Sequence, residues 1–492
     1  MRERLLKEYY DGLNAIFPEF DGFGELLKYS DWSPWFFFDE VKSAKHWRLY
    51  MATEEKLQQI PRWEETRLRS ILDMWLRKNR SEICSHPITP FYNPVGVIIK
   101  TIENFPIYNT VHASKCHQRL QLVINIIDSG LKNLQTSNYP MSITMCRVLI
   151  EQLRGFKITL VTPNTRSGFS DLRNQAQKCK AKILDLARAL PHYIKTTAVK
   201  EVGCGEAEWQ NWMRIFTGLH LDPDTLFESA IADVKFLKDQ LPDLQNLRGW
   251  KRAHIVGPQD MLKMFKKLQK ESEHQIERNF KAVVKTMPTY KMESKTLDTA
   301  TAMCYQASDI DKNNIVVVDP NDEISEWELR TLALHEGDPG HAFQMQYMLD
   351  SGLDWHQVCW RQMAGFVEGW AHYAEMLGDY KKDENLVGVV YFGLWRAVRV
   401  VIDVGIHCKG WTQKEAENFL RENTLLDELR IKKETVRYIC MPGQASTYWL
   451  GRAVIMACRE KFSGDIRDFH EKILGGGVQQ LNTLLESFGA QL

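Results

Sequence analysis

A proline interrupts the segment from residue 334 to residue 341, Leu-His-Glu-Gly-Asp-Pro-Gly-His, and this break constrains the fold more than any other feature. On a continuous α-helix, His335 and His341 would be separated by about 240° of rotation and roughly 9 Å of rise. Pro339 would clash with the carbonyl of His335, and it disfavours helical backbone at Asp338. We therefore predict a helix, a bend, and a second helix with Asp338 as N-cap and Pro339 as its first residue.

The residue types in this segment are those of a zinc site. Zinc hydrolases use neutral imidazoles as ligands, keep one coordination position for water, and place a carboxylate nearby to accept the proton of that water. If the bend brings His341 beside His335, both can bind one ion, with Glu336 as the general base. The alternative is that both histidines are ordinary polar residues near a helix end, because a His-Glu pair alone often arises by chance.

The composition favours a large, core-forming protein without polyanionic partners. The chain has 492 residues, 44% of them hydrophobic, with 63 Lys and Arg against 63 Asp and Glu. Zero net charge gives no basis for nucleic-acid binding, and no apolar run reaches membrane-spanning length, so we expect neither as a partner. Ten scattered cysteines without a C-x-x-C pair, and an amino terminus without a signal-peptide apolar region, predict a cytoplasmic location. The oligomeric state is left open.

Helical periodicity runs through most of the chain. Three long stretches place apolar residues at helical spacing, namely residues 113–134, 170–190 and 258–285. The main strand candidate is the β-branched run Asn314–Asp319. The predicted fold class is therefore mostly α, with at most a small β element near residues 314–319. We expect an aromatic-rich N-terminal helical region, 1–200, packed as one unit with a metal-site helical domain, 201–492.

A helix predicted from Asp354 to Leu377 offers a third metal ligand. Glu368, His372 and Glu375 lie on the side opposite to its apolar face. Glycines on both sides of Glu368 would let another element approach closely. Since many zinc peptidases take two histidines from one helix and a glutamate from a later one, Glu368 is the candidate. The alternative is an ordinary solvated helix surface.

The segment Leu394–Ile406 is nearly all apolar and is therefore predicted to be a buried helix. It nevertheless carries a polar stripe of Arg396, Arg399, Asp403 and His407. Such a stripe must pair internally or line a cavity. Arg399 and Asp403 could form a structural ion pair. Alternatively, Arg399 holds a substrate carboxylate and His407 stabilises a developing oxyanion.

Two tyrosines flank a chain break at Pro442-Gly443. Tyr438 precedes the break and Tyr448 follows it. A tyrosine hydroxyl can stabilise a tetrahedral intermediate, which makes both residues catalytic candidates. For lone tyrosines, core packing with one hydrogen bond is the more common role.

Several motifs, in a fixed order, resemble the family called domain of unknown function 885, a mostly helical, zinc-peptidase-like group. Weaker similarity extends back to about Gly205. The matching motifs are His335-Glu336-x-x-Pro339-Gly340-His341-x-x-Gln344, Phe366-x-Glu368-Gly369-Trp370-Ala371-x-Tyr373-x-Glu375, Trp395-Arg396-Ala397-x-Arg399-x-x-x-Asp403-x-Gly405-x-His407, Arg437-Tyr438-x-x-x-Pro442-Gly443-Gln444-Ala445, and Tyr448-x-x-Gly451.

The resemblance implies a large multi-helix, metallopeptidase-like fold and a set of site residues. It implies His335, His341 and Glu368 as ligands of Zn²⁺ and Glu336 as the general base. The other predicted catalytic residues are His407, Tyr438 and Tyr448. The predicted substrate-binding residues are Arg399, Arg396 and Gln444.

The predicted function is zinc-dependent hydrolysis of amide bonds in short peptides or amino-acid conjugates. A second hypothesis is a metal-dependent cyclase or ring-modifying enzyme acting on an amino-acid-derived metabolite. Departures from the family pattern at Gly337-Asp338 and at residues 475–480 permit it. A third hypothesis is a non-catalytic binding protein on the same scaffold. The presence of all the predicted metal-binding residues argues against it.

Overall fold

A computed structural model gives the architecture of the chain. The chain divides into two compact units, Met1–Val202 and Gly203–Leu492. Apart from Glu8, the aromatic-rich first 60 residues lie outside the part that the structure describes. Besides a few isolated residues before 110, that part comprises residues 110–136, 140–160, 169–281, 289–294, 302–306, 313–318, 324–351, 363–378 and 383–492.

The first unit contains three amphipathic helices, α1 (Thr110–Thr136), α2 (Ile143–Gly155) and α3 (Ser170–Thr196). Helix α3 packs against both α1 and α2. The apolar residues that the periodicity places on one face of α1 and α3 are buried, among them Leu120, Val123, Ile127, Leu172, Ile183 and Leu186. The helices predicted at residues 113–134 and 170–190 are therefore present, each somewhat longer than predicted.

The second unit begins with four helices. The Asp222 carboxylate caps the second of them by accepting a hydrogen bond from the backbone N–H of Thr225 (2.8 Å). The fourth ends at Asn279, earlier than the predicted limit of residue 285, because the backbone at Phe280 is extended. The four helices are α4 (Glu206–Thr217), α5 (Pro223–Asp239), α6 (Leu244–Ala253) and α7 (Pro258–Asn279).

A small three-stranded sheet follows, made of β1 (Thr289–Ser294), β2 (Ala302–Gln306) and β3 (Asn313–Val318). The strand order is β1-β3-β2, with β1 parallel and β2 antiparallel to β3. The predicted strand is present as β3, one residue earlier than expected. Strands β1 and β2 were not predicted, because neither contains a β-branched run. The fold class is mostly α, as predicted.

The remaining helices contain most of the motif residues named above. Capping boxes start two of them: Glu328 accepts a hydrogen bond from the Ser325 backbone N–H (2.9 Å), and Glu415 from that of Thr412 (2.7 Å). These helices are α8 (Glu326–Glu336), α9 (His341–Asp350), α10 (Ala364–Ala374, continued by a 3-10 turn, Glu375–Leu377), α11 (Asp383–Cys408), α12 (Gln413–Asn423), α13 (Glu428–Cys440), α14 (Thr447–Lys461), α15 (Ile466–Gly475) and α16 (Leu481–Phe488).

Helix α11 forms the core of the second unit. It contacts α5, α8, α12 and α13, and its apolar side chains from Tyr391 to Ile406 are buried. The prediction of a buried helix here is confirmed. Among the described residues, no helix is both long and apolar enough to span a membrane.

Helices α10 and α14 cross in close contact at glycines. A methyl group on Gly369 would overlap the backbone of Gly451, and one on Gly451 would overlap the carbonyl of Gly365. The expected close approach beside Glu368 is therefore made by α14. It brings Tyr448, at the start of α14, toward the side of α10 that carries Glu368.

We predict that Gly451→Ala lowers the free energy of unfolding by about 1–3 kcal/mol, because the added methyl group forces the two helices apart. The matched control is Gly249→Ala in α6, where a methyl group meets no atom within 4 Å. That change should stabilise the protein by roughly 0.5–1 kcal/mol through helix propensity. Urea unfolding measures both. Equal stabilities of the two variants would contradict the close crossing.

Candidate metal centre

Three side chains from three helices converge on one point. His335 lies in the last turn of α8, His341 begins α9, and Glu368 lies in α10. The Glu368 Oε2 atom is 3.5 Å from His335 Nε2 and 3.4 Å from His341 Nε2. All three candidate ligand atoms lie within 4.8 Å of one another. The bend between α8 and α9 therefore brings the two histidines together, as the sequence predicts.

These separations suit a single zinc ion. Two ligand atoms, each about 2.05 Å from a tetrahedral zinc ion, lie about 3.3 Å apart. The two distances to Glu368, 3.4 and 3.5 Å, match this value closely. Two imidazoles and one carboxylate are also the ligands of many catalytic zinc sites, which keep a fourth position for water. The residues present therefore fit zinc.

Opposite charges stabilise each other at this point. Burial alone would raise the pKa of Glu368, but the two histidines outweigh it and hold that pKa well below its usual range. Burial alone would lower the pKa of His335, but interactions with Glu368 and Glu375 raise it to about 9. The three side chains thus favour a positive charge between them. Without a metal ion, a proton supplies that charge.

A second carboxylate orients His335 from behind. His335 Nδ1–H donates a hydrogen bond to Glu375 Oε1 (2.7 Å), which directs Nε2 toward Glu368. Arg396 donates to both carboxylate oxygens of Glu375, with Nη1 at 3.0 Å from Oε2. The terminal nitrogens of Arg396, a predicted substrate-binding residue, are thus occupied by Glu375 in this structure. Glu375 and Arg396 act together to fix the ligand.

The bend itself is held by side chains from two other helices. The backbone N–H of Asp338 donates to Gln269 Oε1 (2.7 Å), and Gln269 Nε2 donates to the carbonyl of Ala333 (2.8 Å). Trp370 Nε1 donates to the carbonyl of Pro339 (3.0 Å). Sequence reasoning missed Gln269, which lies in α7, far away along the chain. Nothing in its local pattern distinguishes it from other buried polar residues of that helix.

The second helix begins at His341, so the prediction that it begins at Pro339 with Asp338 as its N-cap is wrong. The Asp338–Pro339 peptide bond is cis. The backbone of Gly340 lies directly against the carbonyls at the end of α8, where a methyl group would overlap that of His335. Residues 337–340 therefore fold back over the end of α8 before helical geometry resumes.

Glu336 is the last residue of α8 and lies next to His335. It is only 6% exposed. Among the described residues, no hydrogen bond or ion pair involves its carboxylate. A buried carboxylate that has no partner among the described residues, beside candidate metal ligands, is chemically suited to accept a proton from water.

Tyr448 borders the centre. Its ring is nearly parallel to that of His335, at 19°, with the ring centroids 6.5 Å apart. Burial and the nearby negative charge of Glu368 raise the pKa of Tyr448, while a hydrogen bond with the Gln444 side chain opposes the shift. The hydroxyl therefore stays protonated at neutral pH and can donate a hydrogen bond.

A polar cluster adjoins Tyr448 and contains three more predicted site residues. The Tyr438 hydroxyl donates to Glu434 Oε2 (2.6 Å), which gives this tyrosine a structural partner. Arg437 Nη1 donates to Gln444 Oε1 (2.9 Å), so the Gln444 carbonyl is also occupied. Arg399 is paired with Glu434 at 3.7 Å. The structure brings Arg399 close to Tyr448 and leaves Tyr438 bound to Glu434.

His407 does not reach the candidate centre. Its Nε2–H donates to the Tyr438 carbonyl (2.9 Å), and its Nδ1 accepts from the Cys204 backbone N–H (3.2 Å). Both ring nitrogens are therefore occupied by backbone groups, and the structure does not bring His407, a predicted catalytic residue, to the cluster of His335, His341 and Glu368. His407 lies eleven residues after Arg396, roughly 16 Å along the helix. The expected Arg399–Asp403 pair is absent too, because Asp403 accepts hydrogen bonds from Trp209, Gly443 and Ser446.

The fold and the cluster define a mostly helical protein with a two-histidine, one-glutamate candidate metal centre. Residues 23–487 match the family described as "Bacterial protein of unknown function (DUF885)", and the chain belongs to this family.

Two solved structures are similar over nearly their whole length. A candidate lipoprotein from Colwellia psychrerythraea aligns with a TM-score of 0.70 and 16% identity, covering 99% of this chain and 98% of that chain. A candidate lipoprotein of unknown function from Shewanella oneidensis aligns with a TM-score of 0.77 and 16% identity, covering 99% of each. At this identity the likeness shows the fold alone. No curated protein matches the chain.

We predict that Gln269→Leu lowers the free energy of unfolding by about 2 kcal/mol or more. The substitution leaves the Asp338 N–H and the Ala333 carbonyl buried without their partner, at about 1–3 kcal/mol each. Lys270→Leu, at the exposed neighbouring position, is the control and should change stability little. Urea unfolding of metal-free protein measures both variants. A Gln269→Leu variant as stable as the control would refute the role of Gln269 at the bend.

Proposed function

We propose that this protein is a zinc-dependent hydrolase of amide bonds in short peptides or amino-acid conjugates. One observation carries the proposal. The ligand atoms of His335 and His341 lie 3.5 and 3.4 Å from Glu368 Oε2, close to the separation in a zinc site, and the buried Glu336 beside them has no partner among the described residues. The buried Glu375–Arg396 pair behind His335 is the kind of support that catalytic zinc ligands need.

The roles of the residues follow from their positions. A zinc ion, when bound, would polarise the substrate carbonyl and lower the pKa of an attacking water molecule to about 7. Glu336 accepts the proton of that water and passes it to the leaving amine. Tyr448, whose ring faces His335, donates a hydrogen bond to the carbonyl oxygen as negative charge develops on it. Glu375 and Arg396 keep His335 in one tautomer and orientation.

We further propose that the protein works in a reducing compartment, the cytoplasm. Free thiols support this, because disulfides form and persist in oxidising compartments. Among the described residues, the free cysteines are Cys116, Cys146, Cys179, Cys204, Cys408, Cys440 and Cys458.

We predict that the purified protein binds one zinc ion per chain and that His335→Ala and Glu368→Ala each abolish this binding. Each variant removes one of three protein ligands. The matched control is His192→Ala, on an exposed turn of α3, which should keep its zinc. Mass-spectrometric metal analysis after dialysis measures all four proteins. Equal zinc content in the wild type and in both ligand variants would place any bound zinc elsewhere.

We predict that Glu336→Gln keeps the zinc ion but loses catalysis by about 10²–10⁴-fold, because the amide cannot accept a proton from water. Hydrolysis of a short-peptide library, followed by mass spectrometry, measures the loss. Glu326→Gln, at an exposed position in the first turn of the same helix, is the control and should retain activity. Unchanged turnover in Glu336→Gln would exclude it as the general base.

A further inference from the structure

Arg399 is a largely buried cation without a hydrogen bond. Its side chain is 11% exposed, and among the described residues no hydrogen bond involves its guanidinium group. The nearest carboxylate, that of Glu434, lies 3.7 Å from Nη2, beyond hydrogen-bonding distance. Among the described residues, the buried Nε–H has no partner. A largely buried guanidinium group with unused donors is suited to bind an acceptor on another molecule.

Two aromatic rings hold the guanidinium group in place. Its Cζ atom lies 4.6 Å from the ring centroid of Trp395 and 4.8 Å from that of Tyr448. Cation–π contacts of this kind stabilise the charge through the faces of the group and leave its N–H edge available. The indole Nε1–H of Trp395 is likewise buried and without a partner among the described residues. Glu434 Oε1 is an unpartnered buried acceptor in the same cluster, so among the described residues two unpartnered donors next to Tyr448 face one such acceptor.

The charge near Arg399 is also unbalanced. Glu434 is fully buried and interacts with both Arg399 and Arg437, at 3.7 and 3.0 Å. Arg430 lies 3.6 Å from the other oxygen of the same carboxylate. Arg437 and the Tyr438 hydroxyl both donate hydrogen bonds to Glu434 Oε2, so Arg399 shares one negative charge with two other arginines and makes no hydrogen bond to it. Buried charge that is incompletely paired is costly, and a bound anion beside Arg399 would reduce this cost.

This cation lies within reach of the candidate metal centre. The ring of Tyr448 contacts Arg399 and also faces His335, with the two ring centroids 6.5 Å apart. One aromatic side chain therefore separates the two positions. An extended peptide covers such a span with one or two residues, at about 3.5 Å each.

We propose that Arg399 binds the free carboxylate of the substrate, so that the bond hydrolysed is the one preceding a carboxyl-terminal residue. The proposal rests on the proposed function, since it places the scissile carbonyl at the metal centre. A planar guanidinium edge matches a carboxylate through two parallel hydrogen bonds. The substrates are thus N-acylated amino acids and short peptides with a free carboxyl terminus. Peptide bonds in the interior of a longer chain are not hydrolysed.

The first experiment compares free acids with amides. A library of N-acetylated dipeptides, each as the free acid and as the carboxyl-terminal amide, is incubated with the zinc-loaded full chain, and release of the last residue is followed by mass spectrometry. The acids should have a kcat/KM at least about tenfold above that of the amides. Arg399→Met should remove this preference and Arg399→Lys should keep part of it. Arg467→Met, at an exposed arginine of α15, is the control and should keep all of it.

The second experiment separates this proposal from the proposed function. The same library is tested for binding to metal-free full chain by saturation-transfer NMR. Binding of acids in preference to amides, lost in Arg399→Met, supports the carboxylate site even if no peptide is hydrolysed. Equal binding of acids and amides, no binding of either, or an acid preference that persists in Arg399→Met would overturn it.

Discussion

The buried carboxylate of Glu375 is the interaction on which the candidate centre depends. It accepts hydrogen bonds from His335 on one side and from Arg396 on the other, and it is fully buried. A buried carboxylate is costly unless such partners satisfy it, and removing one partner of a buried pair typically costs about 3–5 kcal/mol. The three residues therefore bind α8, the end of α10 and α11 into one arrangement. That arrangement sets the direction in which His335 Nε2 points.

Helices α7, α10 and α14 position the other residues of the candidate centre. Gln269 of α7 and Trp370 of α10 hold the bend that returns His341 to His335. The close crossing of α10 and α14 brings Tyr448 to the same side as Glu368. Because each ligand comes from a different helix, the geometry of the site follows from helix packing. Rigid elements of this kind hold a metal site more accurately than loops do.

The sequence was informative where chemistry is local and uninformative where it depends on distant contacts. The choice of Glu336, His335, His341 and Glu368 as candidate site residues rests on residue type and on the proline break, and the mostly helical fold follows from periodicity. The sequence could not show that His407 lies away from the candidate centre, because residues that share one face of α11 lie at different distances along the helix. It could not show the partner of Arg396 either, because Glu375 lies on another helix. Gln269 was missed because only the tertiary structure places it at the bend.

Anomalous diffraction at the zinc edge, from crystals of the protein grown with zinc, tests the central claim most directly. The account predicts one strong peak about 2 Å from the Nε2 atoms of His335 and His341 and from a carboxylate oxygen of Glu368. His335 Nδ1 should still donate to Glu375 in that structure. Zinc bound at another position, or no peak between these three side chains at saturating zinc, would contradict the account.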